Sequence, residues 1–364
     1  MSRRLLLLLL FPVLLGPMLL AWRPAAAAPG DVQRFPAHGE RVGRLRIHGS
    51  TDIEVFATVI RDFQRLHPGI EIIYEDVISQ DMHARYLHER EQPDSPDLLI
   101  SSGMDLQTKL VNDGHALTHR SPQSEALPSW ARWRSQAFGI SYEPVSIVYN
   151  TRGLPADKAP RTRRQLVELL RAPGAPLRGR IGTYDVERSS VGYLLATQDS
   201  QRGSIAGALL AAMGDNQVRL EERTGVLLDR VSSGELLLVY NVLGSYAQAR
   251  IDAGAPLAIV EPEDYTLVIL RTALIPRTSR NPQQAHIFLD YLLSSRGQQV
   301  LSREARLRPI IPLDGSSPSR GIDPSVRPIM LGPGLLVYLD ALKRRQYLDA
   351  WRGSVVAPQS ASGR

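Results

Sequence analysis

Two short hydroxyl-rich loops are the residues of this sequence best suited to chemistry. Ser50 and Thr51 follow the alternating apolar segment 43–49, and Ser101 and Ser102 follow the apolar run 97–100. A helix is predicted directly after each loop, where free backbone N–H groups and a partial positive charge favour anions. Both loops therefore predict binding of an anion or a polar oxygen. Simple turn and N-cap chemistry is the alternative for Ser101 and Ser102.

The elements around these loops alternate between strand and helix. Residues 43–49 and 70–74 read as strands, and a helix between them places Phe56, Val59 and Phe63 on one apolar face. Polar helices are predicted over 82–90 and 105–113, on either side of the short strand 97–102. This alternation predicts a parallel sheet covered by helices on both faces. Ligands bind at the carboxyl ends of the strands in such sheets.

A second α/β series follows a stretch, 139–150, that reads as two extended runs broken near Pro144. We interpret this stretch as a first crossing between two lobes, with a return near 261–264. Strands are predicted over 180–185, 236–241, 257–260 and 266–275, with helices over 163–170, 193–213, 225–233, 245–252, 282–293, 297–304 and 335–351.

The first residues resemble an export signal. Arg3 and Arg4 precede the apolar run 5–21, and small residues at 25–28 offer a cleavage site. Retention as a membrane anchor is the alternative, because the run approaches the ~17 residues needed to span a bilayer. Pro12, Gly16 and Pro17 interrupt it, so we expect cleavage after Ala27 and a periplasmic location.

The predicted organisation has six parts. They are a signal peptide (1–27), a polar tether (28–42), a first lobe (43–140 and 265–308), a second lobe (141–264), a C-terminal extension with a helix (309–351) and a disordered tail (352–364).

Composition excludes several classes of function. The full chain has 43 basic and 37 acidic residues, and removal of residues 1–27 takes away three of the basic ones, so the formal charge falls from +6 to +3. A charge this small does not support binding to nucleic acid through a general positive potential. The absence of cysteine excludes disulfides, zinc–thiolate sites and thiol nucleophiles. No nucleophile elbow or phosphate-binding glycine loop occurs, so we predict no enzyme activity and no cofactor.

Several segments, taken in order, resemble bacterial extracellular solute-binding proteins of the type 2 periplasmic fold. The resemblance is to the branch that includes ferric-ion, phosphoglycerate and aminophosphonate binders. It covers roughly 45–303 and is carried by 63–71, 96–102, 148–150, 240–241 with 254–256, and 281–290 with 293–299. It implies an α/β, two-lobed type 2 periplasmic binding protein with a ligand cleft between lobes joined by two crossing strands, which closes by hinge motion.

The resemblance also implies which residues face the ligand. On the first-lobe side these are the loop residues Ser50, Thr51, Ser101 and Ser102, with Tyr149 and Asn150 beside the hinge. On the second-lobe side they are Arg188, Ser189, Ser190, Tyr240, Asn241 and Tyr246.

Two ligand classes follow from these residue types. Hydroxyl groups and the planar guanidinium of Arg188 suit a phosphate, phosphonate or carboxylate, although Arg188 also suits a solvated loop. Ferric-ion binders of this kind present two neighbouring tyrosines, because phenolate is a hard ligand for a hard cation. No Tyr-Tyr pair occurs here, but Tyr240 and Tyr246 lie six residues apart across a turn and could converge. We predict an organic anion, with no metal site unless those two tyrosines hold iron.

Two partners remain open for a monomeric binding protein of this kind. One is the membrane permease of an ABC importer, which takes up the ligand. The other is the periplasmic domain of a sensor kinase, which reports it. Nucleic acid is not expected as a partner.

Overall fold

A computed structural model of the chain describes residues 31–174, 176–311, 313 and 325–355. The expected signal peptide, 1–27, and the tail from 356 onward lie outside the described residues. Within those residues, no helix is both long and apolar enough to cross a membrane.

The first lobe is built on a mixed sheet. Its elements are β1 (Val32–Phe35), β2 (Gly43–Gly49), α1 (Ile53–Leu66), β3 (Ile70–Asp76), α2 (Ser79–Glu89), β4 (Leu98–Ser101), α3 (Met104–Asn112), α4 (Pro122–Glu125), a 3₁₀ turn (Ser129–Ala131), β5 (Arg132–Trp133), the first half of β6 (Ala137–Asn150), β11 (Thr266–Leu274), α10 (Pro282–Leu293), α11 (Ser295–Arg303) and β12 (Arg308–Pro309). β2 pairs in parallel with β3 and β4, and β11 pairs antiparallel with β4 and β6.

The predicted polar tether, 28–42, contains a strand that the sequence analysis missed. β1 pairs antiparallel with β3 along the edge of the sheet, from Val32 opposite Glu75 to Phe35 opposite Ile72. The Phe35 side chain is buried in the first-lobe core. One buried aromatic residue and an available sheet edge therefore order a segment whose composition is otherwise polar.

The second lobe has its own sheet and a second hydrophobic cluster. Its elements are the second half of β6, a 3₁₀ turn (Ala156–Lys158), α5 (Arg163–Arg171), β7 (Ile181–Tyr184), α6 (Ser190–Ser200), α7 (Ile205–Asp215), β8 (Arg219–Glu221), α8 (Thr224–Ser232), β9 (Leu238–Leu243), α9 (Gly244–Asp252) and β10 (Leu257–Val260). β7 pairs in parallel with β8 and β9.

β6 connects the lobes as one continuous strand of 14 residues, without the break that the sequence suggested near Pro144. Its first half, to Pro144, pairs with β11 in the first lobe, and from Val145 it pairs with β9 and β10 in the second. The return lies between Val260 and Thr266, where β10 ends and β11 begins.

A C-terminal segment makes a third connection between the lobes. β13 (Val326–Pro328) pairs with β11, a 3₁₀ helix (Pro333–Leu339) packs on α3, and α12 (Ala341–Val355) packs on α7 of the second lobe. The single helix expected over 335–351 is divided at Asp340, whose carboxylate accepts the backbone N–H groups of Leu342 and Lys343 at 3.1 and 3.0 Å. Four residues of the expected disordered tail, 352–355, are helical.

Candidate functional site

A cavity of about 280 Å³ lies between the two lobes. The first lobe lines it with Ser50, Asp52, Asp76, Ile78, Ser79, Gln80 and Ser102, and the second lobe with Tyr184, Arg188, Ser189, Ser190, Val191, Glu222, Arg223, Thr224, Gly225, Val226, Asp229, Leu243 and Tyr246. Its size suits a small solute. We call this cavity the cleft.

Helix starts surround the cleft. Residues at or just before the first turns of α1, α2, α3, α6, α8 and α9 all line it or flank a lining residue. This follows from topology, because β2, β3, β4, β7, β8 and β9 each end at the cleft and each is followed by a helix. Six helix N-termini bring backbone N–H groups and partial positive charges to one cavity, an arrangement that favours anionic groups.

The first-lobe wall is formed by two loops that hold each other. The Oγ of Ser50 accepts the backbone N–H of Ser102 at 3.2 Å, and the N–H of Ser50 donates to Ile100 O at 2.9 Å. The Oγ of Ser102 is buried and has no hydrogen-bond partner in the described part of the chain. A buried hydroxyl without a partner costs free energy, so Ser102 presents an unused donor and acceptor to a bound solute.

The second-lobe wall is formed by the start of α6 and the β8–α8 loop. Ser189 caps α6 through its Oγ, which accepts the N–H of Gly192 at 3.1 Å. Arg188 is exposed and donates to a carboxylate oxygen of Glu222 at 3.2 Å. The Tyr184 hydroxyl is hydrogen-bonded to the Thr224 hydroxyl. Arg188 can therefore turn from Glu222 to a ligand at little cost, because an exposed ion pair contributes only ~0–1 kcal/mol.

Carboxylates outnumber guanidiniums in the cleft. Asp52, Asp76, Glu222 and Asp229 line it together with Arg188 and Arg223, and Asp229 is paired with Arg250 at 2.9 Å. Burial raises the pKa of Asp76 to about 6, and the negative charge of Asp52 adds to the increase. The cleft thus offers acceptors for ligand hydroxyl or ammonium groups as well as donors for an anion.

The structure places Thr51 and Ser101 beneath the cleft surface instead of on it. Thr51 is fully buried and its carbonyl accepts the Tyr74 hydroxyl at 2.6 Å. The Ser101 Oγ donates to the Ser79 Oγ at 2.7 Å and accepts the N–H of Gly103 at 3.0 Å. Side chains alternate along an extended chain, so when Ser102 faces the cavity its neighbour Ser101 faces away. Ser101 supports the cleft wall but does not line it.

Tyr149 and Asn150 also lie away from the cleft. Tyr149 is buried in the second-lobe cluster, and the Asn150 side-chain amide donates to Val231 O at 2.8 Å and accepts the N–H of Arg152 at 2.9 Å. β6 runs antiparallel to β9, with Val145 opposite Leu243 and Tyr149 opposite Leu238. The end of β6 therefore lies at the edge of the second sheet opposite the cleft.

Tyr240 and Asn241 are also outside the cleft lining. The Tyr240 hydroxyl accepts from Arg163 Nε and donates to Asp199, both at 2.7 Å, and Asn241 donates to the same Asp199 oxygen at 2.7 Å. Both line a separate cavity of about 30 Å³, with room for little more than water. The strand was predicted to end at Asn241, but β9 continues to Leu243, so the chain reaches the cleft only at Leu243 and Tyr246.

The proposed convergence of Tyr240 and Tyr246 on one ion does not occur. Tyr246 lines the cleft, where burial raises its pKa to about 12, whereas Tyr240 is fixed in the second-lobe interior by Arg163 and Asp199. In the described residues, no group of three or more His, Asp and Glu side chains is arranged to hold a metal ion.

Six of the twelve predicted residues line the cleft: Ser50, Ser102, Arg188, Ser189, Ser190 and Tyr246. Sequence reasoning missed Asp76, Ser79 and Tyr184 among others. Asp76 carries the signal used for Ser50, since it follows the predicted strand 70–74. Tyr184, the last residue of β7, lies inside the predicted strand 180–185, and Ser79 begins α2 three residues before the predicted helix start.

Comparison with known proteins decides the family. The family model described as "Bacterial extracellular solute-binding protein" matches residues 46–304. The chain belongs to this family. Members of this family are not enzymes. This protein is a solute-binding protein of an ABC transporter, and it has the type 2 periplasmic binding fold. No curated protein matches the sequence.

Solved structures of other solute-binding proteins agree with this assignment. The substrate-binding protein of an ABC transporter from Agrobacterium tumefaciens is 32% identical, with a TM-score of 0.83 over 90% of this chain and 98% of that one. The fructose-6-phosphate-bound periplasmic binding protein AfuA of Actinobacillus pleuropneumoniae is 17% identical, with a TM-score of 0.69 over 87% and 100% of the two chains. Iron-bound HitA of Pseudomonas aeruginosa is 16% identical, with a TM-score of 0.65 over 85% and 99%. The last two likenesses concern the fold alone.

Proposed function

We propose that this solute-binding protein works in the periplasm, where it captures a small organic anion in the cleft and delivers it to the permease of an ABC importer. The observation that carries the proposal is the convergence of six helix N-termini on one cavity of about 280 Å³. Backbone N–H groups at helix starts suit the oxygens of a phosphate, phosphonate or carboxylate. Ser102, Ser190 and Arg188 supply further donors to the same group.

The acidic side chains narrow the ligand further. A simple inorganic anion would be repelled by Asp52 and Asp76, which make no ion pair among the described residues, whereas Glu222 and Asp229 are paired with Arg188 and Arg250. Hydroxyl or ammonium groups on the same molecule would donate to these carboxylates and turn the repulsion into hydrogen bonds. We therefore expect an anionic headgroup on a small body that carries hydrogen-bond donors, such as a phosphorylated polyol or an amino-substituted acid.

Capture by both lobes explains how binding is signalled to the importer. Each wall contributes groups from a different lobe, so a bound solute bridges Ser102 on one side and Ser190 or Arg188 on the other. The lobes already approach each other here, since a Cβ on Gly103 would stand 3.5 Å from the Ser190 Oγ. The ligand would stabilise this closed form, which a permease can distinguish from an open one.

Thermal unfolding against a panel of phosphorylated three-carbon acids, sugar phosphates, aminophosphonates and simple carboxylates tests the proposal. A ligand at 100 times its dissociation constant adds ~2.7 kcal/mol to the free energy of unfolding. We expect Arg188→Ala and Ser102→Ala to remove most of this gain. The control Arg178→Ala should retain it, because the Arg178 guanidinium donates to the Asp215 carbonyl on the surface of the same lobe and does not line the cleft. No stabilisation by any organic anion would contradict the proposal.

Ferric ion is the second candidate, because the Tyr184 and Tyr246 phenols and the Asp52 and Asp76 carboxylates give the cleft hard oxygen ligands. Addition of chelated ferric ion would then produce a visible tyrosinate band. Tyr246→Phe should weaken that band, whereas Tyr240→Phe should leave it unchanged, since Tyr240 lies outside the cleft lining. Observation of this band would identify ferric ion, and not an organic anion, as the transported solute.

A further inference from the structure

A second cavity, of about 390 Å³, lies at the opposite edge of the first-lobe sheet. It is formed by the start of β2, the loop before β4 and the start of α10. Its lining includes Arg41, Arg44, Arg46, Asp94, Ser95 and Arg280. β2 is seven residues long and ends at the cleft, so the two cavities are separated by about 20 Å of strand at ~3.3 Å per residue. We call this second cavity the arginine pocket.

Positive charge is in excess around the arginine pocket. A single buried carboxylate, Glu71, faces Arg41 at 3.2 Å, Arg44 at 2.8 Å and Arg34 at 3.7 Å. This crowding of guanidiniums, with the Arg44 hydrogen bond as the largest contribution, lowers the pKa of Glu71. One carboxylate cannot neutralise three guanidiniums, so at least part of their hydrogen-bonding capacity points to solvent.

The other acidic residues leave this excess in place. Asp94 pairs with Arg46 at 2.7 Å. One oxygen of Asp97 accepts the backbone N–H groups of Arg280 and Asn281 at 3.0 and 2.9 Å, and its other oxygen accepts the N–H of Arg46 at 3.0 Å. The Asp97 carboxylate therefore holds the backbone of β2 next to the backbone before α10 and forms no ion pair with an arginine side chain among the described residues. Among the described residues, the Arg280 side chain makes no ion pair.

Two further features point into the arginine pocket. The Ser95 Oγ is buried and has no hydrogen-bond partner in the described part of the chain, although Ser95 lines the cavity. The 12-residue helix α10 begins at the rim, where Asp97 accepts the backbone N–H groups before it and so leaves the Arg280 guanidinium as the cation that this end of α10 offers. A buried hydroxyl without a partner and surplus guanidinium forks are the groups that bind a phosphate-type oxyanion.

We propose that the arginine pocket is a second binding site, for a phosphate-type oxyanion, independent of the solute held in the cleft. Two sources carry this chemistry: a free phosphate ester, or the headgroup of an anionic phospholipid at the membrane surface. The guanidiniums of Arg41 and Arg280 bind its oxygens, and the Ser95 hydroxyl donates to it.

Calorimetric titration with inorganic pyrophosphate at low ionic strength tests the site. The Arg41→Gln/Arg280→Gln variant should bind pyrophosphate at least tenfold more weakly than the wild-type chain. The matched control Arg277→Gln, three residues before Arg280 with its guanidinium on the Gly114 carbonyl, should bind normally. Arg188→Ala should also keep this binding, because Arg188 belongs to the cleft. Equal binding by the double variant and the wild-type chain would overturn the proposal.

Sedimentation with vesicles distinguishes the two sources. If the headgroup is the ligand, wild-type protein sediments with phosphatidylglycerol vesicles but not with phosphatidylcholine vesicles, and the double variant sediments with neither. If a free ester is the ligand, pyrophosphate binds and no vesicle does. Binding of neither probe by the wild-type chain rejects the site. Should the double variant fail to fold, Arg280→Gln alone gives the same test, since it breaks no ion pair among the described residues.

Discussion

Among the residues that the structure describes, two guanidiniums, those of Arg163 and Arg271, are completely buried, and their surroundings differ. Arg163, in the second lobe, donates to Tyr240 at 2.7 Å, to the Tyr265 carbonyl at 2.7 Å and to Asp264 at 3.1 Å, with Asp199 a further 3.2 Å contact. Arg271, on β11 of the first lobe, donates to Glu143 at 3.2 Å and to no other group among the described residues. Its Nε and Nη2 have no partners in the described part of the chain.

The two guanidiniums differ in how many groups surround them. The guanidinium plane of Arg163 lies 3.5 Å from the centre of the Tyr265 ring, and Asp199 gathers Tyr240, Asn241 and Tyr265 around it. This network ties α5 and α6 to β9 and to the start of β11, and it holds one arrangement. Arg271 and Glu143 lie on β11 and β6, which pair antiparallel in the first lobe, and Glu143 stands two residues before β6 begins to pair with β9 of the second lobe. Arg163 contacts two carboxylates, a phenol and a carbonyl, although its Nη2 makes only the 3.2 Å ion-pair contact with Asp199. Arg271 contacts a single carboxylate among the described residues.

The largest effect is expected from Arg163→Met. Removing the guanidinium leaves Asp199 and Asp264 without their cation, and breaking a buried ion pair costs ~3–5 kcal/mol. Urea unfolding measures the loss. The neighbouring exposed Arg164→Met is the control and should change the free energy of unfolding by less than ~0.5 kcal/mol. Similar losses in both variants would show that the network contributes little.

Arg271→Met should destabilise the protein less, by ~1–2 kcal/mol, because only one hydrogen bond to the guanidinium is lost. Burial already raises the pKa of Glu143 against the opposing field of Arg271, so Glu143 can take up a proton when the guanidinium is removed. The double variant Glu143→Gln/Arg271→Met should recover most of the loss in urea unfolding. A loss as large as that of Arg163→Met would remove the distinction between the two sites.

Two tyrosine variants sharpen the same comparison at a smaller scale. Tyr240→Phe removes a hydroxyl that has two partners and should cost ~1 kcal/mol of stability, without changing ligand affinity. Tyr246→Phe should leave stability nearly unchanged and weaken ligand binding, since Tyr246 lines the cleft. Unfolding and binding measured on both variants separate the roles, and reversed results would place the ligand in the second-lobe interior.

The smallest effect is a pH dependence carried by Asp76. Its pKa rises on folding from 3.8 to about 6, so the folded protein binds more protons than the unfolded chain between these values. The stability that protonated Asp76 contributes is therefore lost as pH rises from about 4 to about 6. Solvent screening keeps the change below ~1 kcal/mol. Asp76→Asn should have a flatter pH profile of urea unfolding, and a steeper one would reverse the assigned sign.

Much of this architecture can be predicted from the sequence, because apolar spacing and the positions where strands end depend on residues that are close along the chain. The apolar face of α1, with Phe56, Val59 and Phe63 buried, is visible as spacing, and the positions of Ser50 and Ser102 after apolar strands place them at the cleft. The strand-end rule also points to Asp76, which follows the predicted strand 70–74, but not to Tyr184, which lies inside the predicted strand 180–185. The family resemblance over 45–303 agrees with the matched range, 46–304.

Tertiary structure alone decided which neighbour in each pair lines the cleft. β9 runs two residues beyond its predicted end, which moves Tyr240 and Asn241 into the second-lobe interior and brings Tyr246 to the cleft. β6 crosses into the second lobe antiparallel to β9, which carries Tyr149 and Asn150 to the far edge. The sequence by itself determined the elements and the chemistry of their loops, because these depend on neighbouring residues. Strand length and direction depend on partners far along the chain, and they determined which side chains meet.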